Sequence, residues 1–427
     1  MCPRLGVFVA VLVAQVLSRA VDMRAEANDD NPRVFYRAPL EDRAEIVIPV
    51  RVRERTLNLL VDTGSSNTML SSVHADLLGK SLGSEEVVTF FGKETSERFR
   101  LAGIDLGQYT SGPLEVGTIR FEEGYASVPA DGLIGSDAFK DSVLQLDFDA
   151  GEMRLLDRYT PGPDESTFEI RMVLRLPIVQ FHAGMQVDGI VDTGNSGGFS
   201  LGSTASVRVG RDRRFFQEIQ LGRSEVSPNP FALQIAKELK IGQYSVPDAV
   251  GVFGQFSTLG LLTLSQFRVT LDYPNKRLHL RPRSGFPDRR LPNASGLFVR
   301  RDASGTFVRD LYVDGVAYEA GMRAGDRIVS LDGEPIEKLS LGKVAKRLTR
   351  SGEKVVFVVE RPVPPAEAAK PAAKSLEAAP AKPATPDAQP APVPVERKTF
   401  EFTLRWPIPW PPVWPERLPV KKPIPVD

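Results

Sequence analysis

The sequence predicts a mainly β chain, with two similar lobes in tandem followed by a smaller α+β domain. Three observations predict this. Short β-branched runs separated by turn residues fill residues 44–285, and few stretches there have helical periodicity. The stretch "VDTGSSNTML" (61–70) is echoed by "VDTGNSGGFS" (191–200). From Gly296 onward the texture changes to a glycine-punctuated segment with one helix-like stretch and one strand.

Residues 1–27 read as an export signal. Arg4 supplies a basic start, and "LGVFVAVLVAQVL" (5–17) is an apolar run of signal-peptide length. Small-residue cleavage sites follow at Ser18-Arg19-Ala20 and Ala25-Glu26-Ala27. A retained anchor is the alternative, but the run is shorter than the ~20 apolar residues a span needs. No other segment reaches that length, so no stable span is expected after cleavage. The only cysteine, Cys2, lies inside the signal, which leaves the mature chain without disulfides or thiol chemistry. That favours a bacterial periplasm, cell envelope or secreted location over a eukaryotic secretory one. The 427 residues allow two to four domains, and 54 Lys+Arg balance 54 Asp+Glu. Nothing in that balance suggests a nucleic-acid partner.

The expected strands of lobe one (28–160) include "EIVIPVRV" (45–52), "TLNLLVD" (56–62), "EVVTFF" (86–91) and "LQLDFD" (144–149). Lobe two (161–290) returns the texture in "FEIRMVLRLPIV", "MQVDGIVD" and "FRVTLDY". At average residue usage about 0.1 copies of Asp-Thr-Gly are expected in such a chain. Here there are two, with Asp62 and Asp192 130 residues apart, and four further landmarks recur in the same order. Phe91-Gly92-Lys93 matches Leu221-Gly222-Arg223, and Leu106-Gly107-Gln108-Tyr109 matches Ile241-Gly242-Gln243-Tyr244. Gly132-Leu133-Ile134 is aligned with Gly260-Leu261-Leu262, and Leu146-Asp147-Phe148 with Leu271-Asp272-Tyr273. Such self-similarity implies a duplicated unit.

Two lobes meeting about a pseudo-twofold axis would each bring one carboxylate to it. Carboxylates ~3 Å apart cannot both ionise, so they share a proton and their pKa values separate. One can then act as general base towards water and the other as general acid towards a carbonyl. This chemistry needs no metal and no cofactor. Gly64 and Gly194 would let the backbone approach and aim N–H groups at the carboxylates. Thr63 and Thr193 can hydrogen-bond across to the opposite loop. Ser65 can donate to the outer oxygen of Asp62, and the Asn195 amide to Asp192. His74, His182 and His279 share no ligand spacing, so they predict no metal site.

With these residues in view, 44–285 resembles a two-lobed aspartic protease of the pepsin/retropepsin type, nearest to bacterial retropepsin-like proteins. The family motif is apolar-Asp-Thr-Gly-Ser/Thr/Ala, followed in each lobe by apolar-apolar-Gly. Leu60-Val61-Asp62-Thr63-Gly64-Ser65 and Leu133-Ile134-Gly135 satisfy both halves in lobe one. Lobe two has Ile190-Val191-Asp192-Thr193-Gly194, but Asn195 departs from the motif and Thr263 ends Leu261-Leu262-Thr263 where glycine is usual. The resemblance implies a bilobal acid-protease fold, double-ψ β-barrel-like, and an aspartic endopeptidase acting on protein or peptide substrates. Phe90-Phe91-Gly92 and Leu221-Gly222 are candidate flap tips or, equally, ordinary hairpin turns. The reading from another class is a non-catalytic envelope scaffold that binds peptides.

Residues 291–405 resemble a PDZ domain of the bacterial protease-associated kind. The specific part is Ala320-Gly321-Met322-Arg323-Ala324-Gly325-Asp326-Arg327-Ile328 with Leu331-Asp332-Gly333. The resemblance implies that Gly296, Leu297, Phe298 and Val299 form the carboxylate-binding loop and the start of the strand along which a peptide tail lies. The bland alternative is a packing module, and Phe298 stands where a small residue is usual. Residues 362–394 are Pro/Ala-rich and predict a disordered insertion inside a hairpin that pairs Lys354–Arg361 with Lys398–Arg405. The Pro/Trp-rich tail, 406–427, must be extended.

Overall fold

A computed structural model describes residues 32–405 except 90–91, 122–126, 203–213, 217, 221–230, 289, 292, 313–314 and 363–394. The export signal, most of the Pro/Ala-rich insertion, the tail, Phe90, Phe91, Leu221 and Gly222 lie outside the described residues.

The chain is mainly β, as the alternating runs require. In lobe one, Val47–Val52 and Arg55–Val61 form a hairpin turning at Arg53, whose φ is 52°. Along the first strand Ile48, Val50 and Val52 are fully buried, alternating with outward Pro49 and Arg51. The short strand Gly132–Ile134 lies parallel to Arg55–Val61, pairing Ile134 with Val61. A second hairpin, Gly83–Thr89 with Gly92–Leu101, closes on the pair Thr89–Gly92. Lobe two repeats the plan. Leu176–Ala183 and Gln186–Val191 form its first hairpin, and Thr258–Leu259 lies parallel to the second of these strands.

A six-stranded sheet joins the lobes. At its centre Val143–Asp147 of lobe one pairs antiparallel with Phe267–Asp272 of lobe two. One apolar core runs through both lobes, with Leu59, Phe139, Phe181, Phe199 and Phe267 fully buried in it. At roughly 1.5–3 kcal/mol per buried large side chain, this shared core fixes the lobes relative to each other.

The last domain has its own core, including Leu311, Met322, Val344 and Phe357. Its strands are Leu297–Asp302, Gly305–Tyr312, Arg327–Leu331, Lys354–Pro362 and Val395–Thr403, with a helix at Leu341–Arg347. The hairpin around the insertion forms, but with Arg361 opposite Glu396 and Lys354 opposite Thr403. The observed partner strand therefore sits two residues nearer the insertion than the expected span. An even shift keeps the same face inward, so the alternation of "RKTFEFTLR" could not reveal it.

This domain is clasped to both lobes. Gly342 N donates to Glu41 Oε1 at 2.6 Å, and a Cβ on Gly342 would sit 2.1 Å from Asp42 O. Arg290, in the connector, holds both Asp42 oxygens at 3.0 Å. Arg301 N donates to Ser127 O at 2.8 Å. Phe298 and Tyr312 pack with Val250 and Val252 of lobe two. Finally, lobe-two strand Glu218–Gln220 pairs with the end of Gly305–Tyr312, on the edge opposite Leu297–Asp302, with Ile219 against Leu311.

Candidate active site

Each Asp-Thr-Gly loop begins where a buried apolar strand stops. Val61 and Val191 are fully buried, and Asp62 and Asp192 follow as half-buried residues. Asp62 N donates to Ile134 O at 3.0 Å and Asp192 N to Leu259 O at 2.9 Å, so the parallel neighbour strand fixes the entry to each loop.

The loops lock by a reciprocal exchange between the two threonines, both fully buried. Thr63 N donates to Thr193 Oγ1 at 3.0 Å, and Thr193 N to Thr63 Oγ1 at 3.1 Å. Thr63 Oγ1 then donates to Val191 O at 2.6 Å, and Thr193 Oγ1 to Val61 O at 2.7 Å. The exchange sets the carboxyls face to face. A Cβ on Gly64 would lie 2.4 Å from Asp192 Cγ, and one on Gly194 2.4 Å from Asp62 Cγ. Each glycine therefore makes room for the opposite acid.

Gly64 N donates to Asp62 Oδ1 at 2.9 Å, and Gly194 N to Asp192 Oδ1 at 3.0 Å. Burial pushes the Asp62 carboxyl up to about 6, while the amides of Gly64 and Ser65 and a hydrogen bond from Asp192 hold it from rising further. Asp192 is pushed well above the usual carboxylate range by burial and then by the charge of Asp62, against the amides of Asn195 and Gly194. Both carboxyls are raised by burial, and the two titrate as one pair.

Two side-chain expectations are corrected. The Ser65 hydroxyl turns away from Asp62 and donates to Asn67 O at 2.8 Å, so Ser65 acts on Asp62 through its amide. Asn195 reaches Asp192 through its backbone N at 3.1 Å, while its side chain donates to Thr258 Oγ1 at 2.7 Å and accepts from Gly197 N at 2.8 Å.

A third correction removes the main departure in lobe two. Strand pairing equates Ile134 with Leu259, since they pair with Val61 and Val191. The glycine equivalent to Gly135 is therefore Gly260, and Thr263 lies three residues beyond it, in the helix Leu261–Leu264. Gly135 (φ −88°, ψ 176°) and Gly260 (φ −94°, ψ 174°) have the same conformation. Both are sterically enforced. A Cβ would meet Asn67 O at 2.6 Å in one and Gly197 O at 2.2 Å in the other. The lobe-two motif is Thr258-Leu259-Gly260, and the landmark alignment of Gly260 with Gly132 was three residues out of register.

Among the candidate flap residues, only Gly92 is described; it closes the hairpin against Thr89. In the last domain Gly296 takes a positive φ of 68° and Leu297 is buried in the core. Gly296 N and Leu297 N already have acceptors, Asn293 Oδ1 at 3.2 Å and Ser295 Oγ at 3.0 Å. Phe298 faces lobe two instead of a peptide pocket, and Val299 packs on the domain core. Sequence reasoning missed Ser136 and Tyr273. The Ser136 hydroxyl donates to Thr63 O at 2.9 Å and meets the Tyr273 hydroxyl at 3.1 Å.

Residues 48–138 match the family model for aspartyl proteases, and residues 307–361 match the PDZ domain model. The first match takes in Asp62 and Gly135; the internal pairing carries the likeness into lobe two. The chain thus carries an aspartyl protease domain and, after it, a PDZ domain.

Proposed function

We propose that the chain is an exported aspartic endopeptidase whose base is Asp62 and whose acid is Asp192. The observation that carries this is the reciprocal Thr63–Thr193 exchange, which faces two desolvated carboxyls across one axis. Ionised Asp62 takes a proton from water as the oxygen attacks the peptide carbonyl carbon. Asp192 gives its proton to the carbonyl oxygen, leaving a gem-diol. Asp62 then protonates the amide nitrogen, the C–N bond breaks, and one diol proton returns to Asp192. The export part rests on the apolar run 5–17 behind Arg4. The PDZ domain would read an extended peptide by strand addition along Leu297–Asp302, which pairs with one strand among the described residues but would have to release the Arg301 N–H from Ser127 O to accept it.

The test is cleavage of a denatured-protein or peptide library by the purified chain and by Asp62→Asn and Asp192→Asn. Each substitution should abolish turnover, and a pepstatin-like inhibitor should block the native chain. Equal cleavage by the double variant would overturn the assignment. Saturable peptide binding without turnover at any pH would favour the scaffold.

A further inference from the structure

The two half-sites match in their Asp-Thr-Gly backbones but not behind them. On the lobe-one side, Ser136 Oγ donates its single proton to Thr63 O at 2.9 Å. Its contact with Tyr273 Oη, 3.1 Å away, must then be one in which Tyr273 donates and Ser136 accepts. Thr63 O belongs to the same peptide unit as Gly64 N–H, which donates to Asp62 Oδ1 at 2.9 Å. The result is one chain of donors, Tyr273 O–H to Ser136 O–H to the Thr63–Gly64 peptide to the Asp62 carboxylate. Hydrogen bonds in series polarise one another, so each link strengthens the last.

Lobe two lacks this chain. Leu261 follows Gly260 as Ser136 follows Gly135, and it has no hydroxyl to offer Thr193 O. Phe148 holds the position after Asp147 that Tyr273 holds after Asp272, and it has no hydroxyl either. Among the described residues no side chain donates to the Thr193 carbonyl.

We infer that Ser136 and Tyr273 are positioning residues that make Asp62, and not Asp192, the carboxylate that ionises first. They act through the Thr63–Gly64 peptide and touch no substrate. The inference rests on the proposed acid–base reading of the pair, and it gives the pair its polarity. Four ionisable groups act around the relay. Asp192 faces Asp62 from lobe two, Tyr273 reaches in from the bridging sheet, Asp137 adjoins Ser136, and Arg175 bears on Asp137 from the lobe-two hairpin turn. Asp137 is partnered by Thr68 Oγ1 at 2.8 Å, and burial raises its carboxyl. Burial likewise holds the Tyr273 hydroxyl above its usual range, so it stays a donor throughout the working pH range.

The experiment is the pH dependence of kcat/KM for the native chain, Tyr273→Phe, Ser136→Ala and the double variant. Tyr273→Phe keeps the ring and removes only the hydroxyl. Loss of the relay should raise the acid limb by about half a pH unit. Ser136→Ala should raise it at least as far, and the double variant should match Ser136→Ala, since one chain is cut either way. Lower kcat with an unmoved acid limb in both single variants would overturn the inference, as would additive shifts. If the native chain turns over nothing, the endopeptidase reading fails separately. The relay is then read by carboxyl ¹³C titration of Asp62, its signal identified by loss in Asp62→Asn. A raised midpoint in Tyr273→Phe supports the inference, and an unchanged midpoint overturns it.

Discussion

Replacing Thr193 by Val keeps shape and volume and removes one hydroxyl at a fully buried position. That hydroxyl accepts from Thr63 N at 3.0 Å and donates to Val61 O at 2.7 Å, both across the lobe interface. Two hydrogen bonds disappear, and Thr63 N–H is left buried without its acceptor. A buried unsatisfied donor costs about 1–3 kcal/mol and a second net hydrogen bond about 1 kcal/mol, so the expected loss is about 2–4 kcal/mol. Because the exchange is reciprocal, Thr63→Val should cost the same within about 1 kcal/mol. Urea unfolding followed by circular dichroism measures both, as a shift in midpoint at unchanged slope. A loss below about 0.5 kcal/mol in either variant, or a large inequality between them, would refute the claim that the exchange holds the lobes in register.

The other predictions concern the pair, the corrected glycine and the clasp. An acid whose folded pKa is raised binds its proton more tightly when folded, so its contribution to stability is present at low pH and declines as pH rises towards the folded value. With Asp62 pushed up to about 6, Asp62→Asn should gain about 2–3 kcal/mol over the native chain between pH 4 and 7, and nothing below pH 4. A pH-independent difference in denaturation midpoints would count against this. Gly260→Ala places a methyl group 2.2 Å from Gly197 O, so it should destabilise far more than Thr263→Ala, by about 3 kcal/mol or more in melting experiments. The reverse ranking would restore the discarded register. Gly342→Ala drives a methyl group into Asp42 O, 2.1 Å away, and should undock the PDZ domain from lobe one. Faster limited proteolysis of the 283–296 connector reads this out, and unchanged cleavage would argue against the clasp.

Much of the pair was legible in sequence because its signal is local. Asp-Thr-Gly behind a buried apolar strand is a contiguous pattern, and its second copy removed chance as an explanation. The lobe-two glycine is hidden in sequence because Thr258 takes a position usually apolar in Thr258-Leu259-Gly260, while Gly260-Leu261-Leu262 imitates Gly132-Leu133-Ile134. Strand pairing resolves this, and pairing is not written in any one segment. Ser65 and Asn195 were assigned the right neighbourhood and the wrong atoms, since a residue type does not say whether its amide or its side chain makes the bond. Ser136 and Tyr273, 137 residues apart, meet only because the bridging sheet carries a lobe-two strand beneath lobe one. The direction of Phe298 was illegible for the same reason, as lobe two supplies its contact.

The clasp between Glu41 and Gly342 also sets an order of assembly. Its ends are 301 residues apart in sequence. Loop-closure entropy grows only slowly with such separations, so the distance costs little at equilibrium. It costs time, because at roughly 5–20 residues per second Gly342 is made about 15–60 s after Glu41. The strand Val34–Pro39 finds Glu152–Leu156 within lobe one, while Glu41, just beyond it, is synthesised early and meets Gly342 late. Asp62 waits in the same way for Asp192. A nascent chain stopped before the PDZ domain holds both acids and the Val34–Pro39 pairing, but not the bond from Gly342 that caps Glu41.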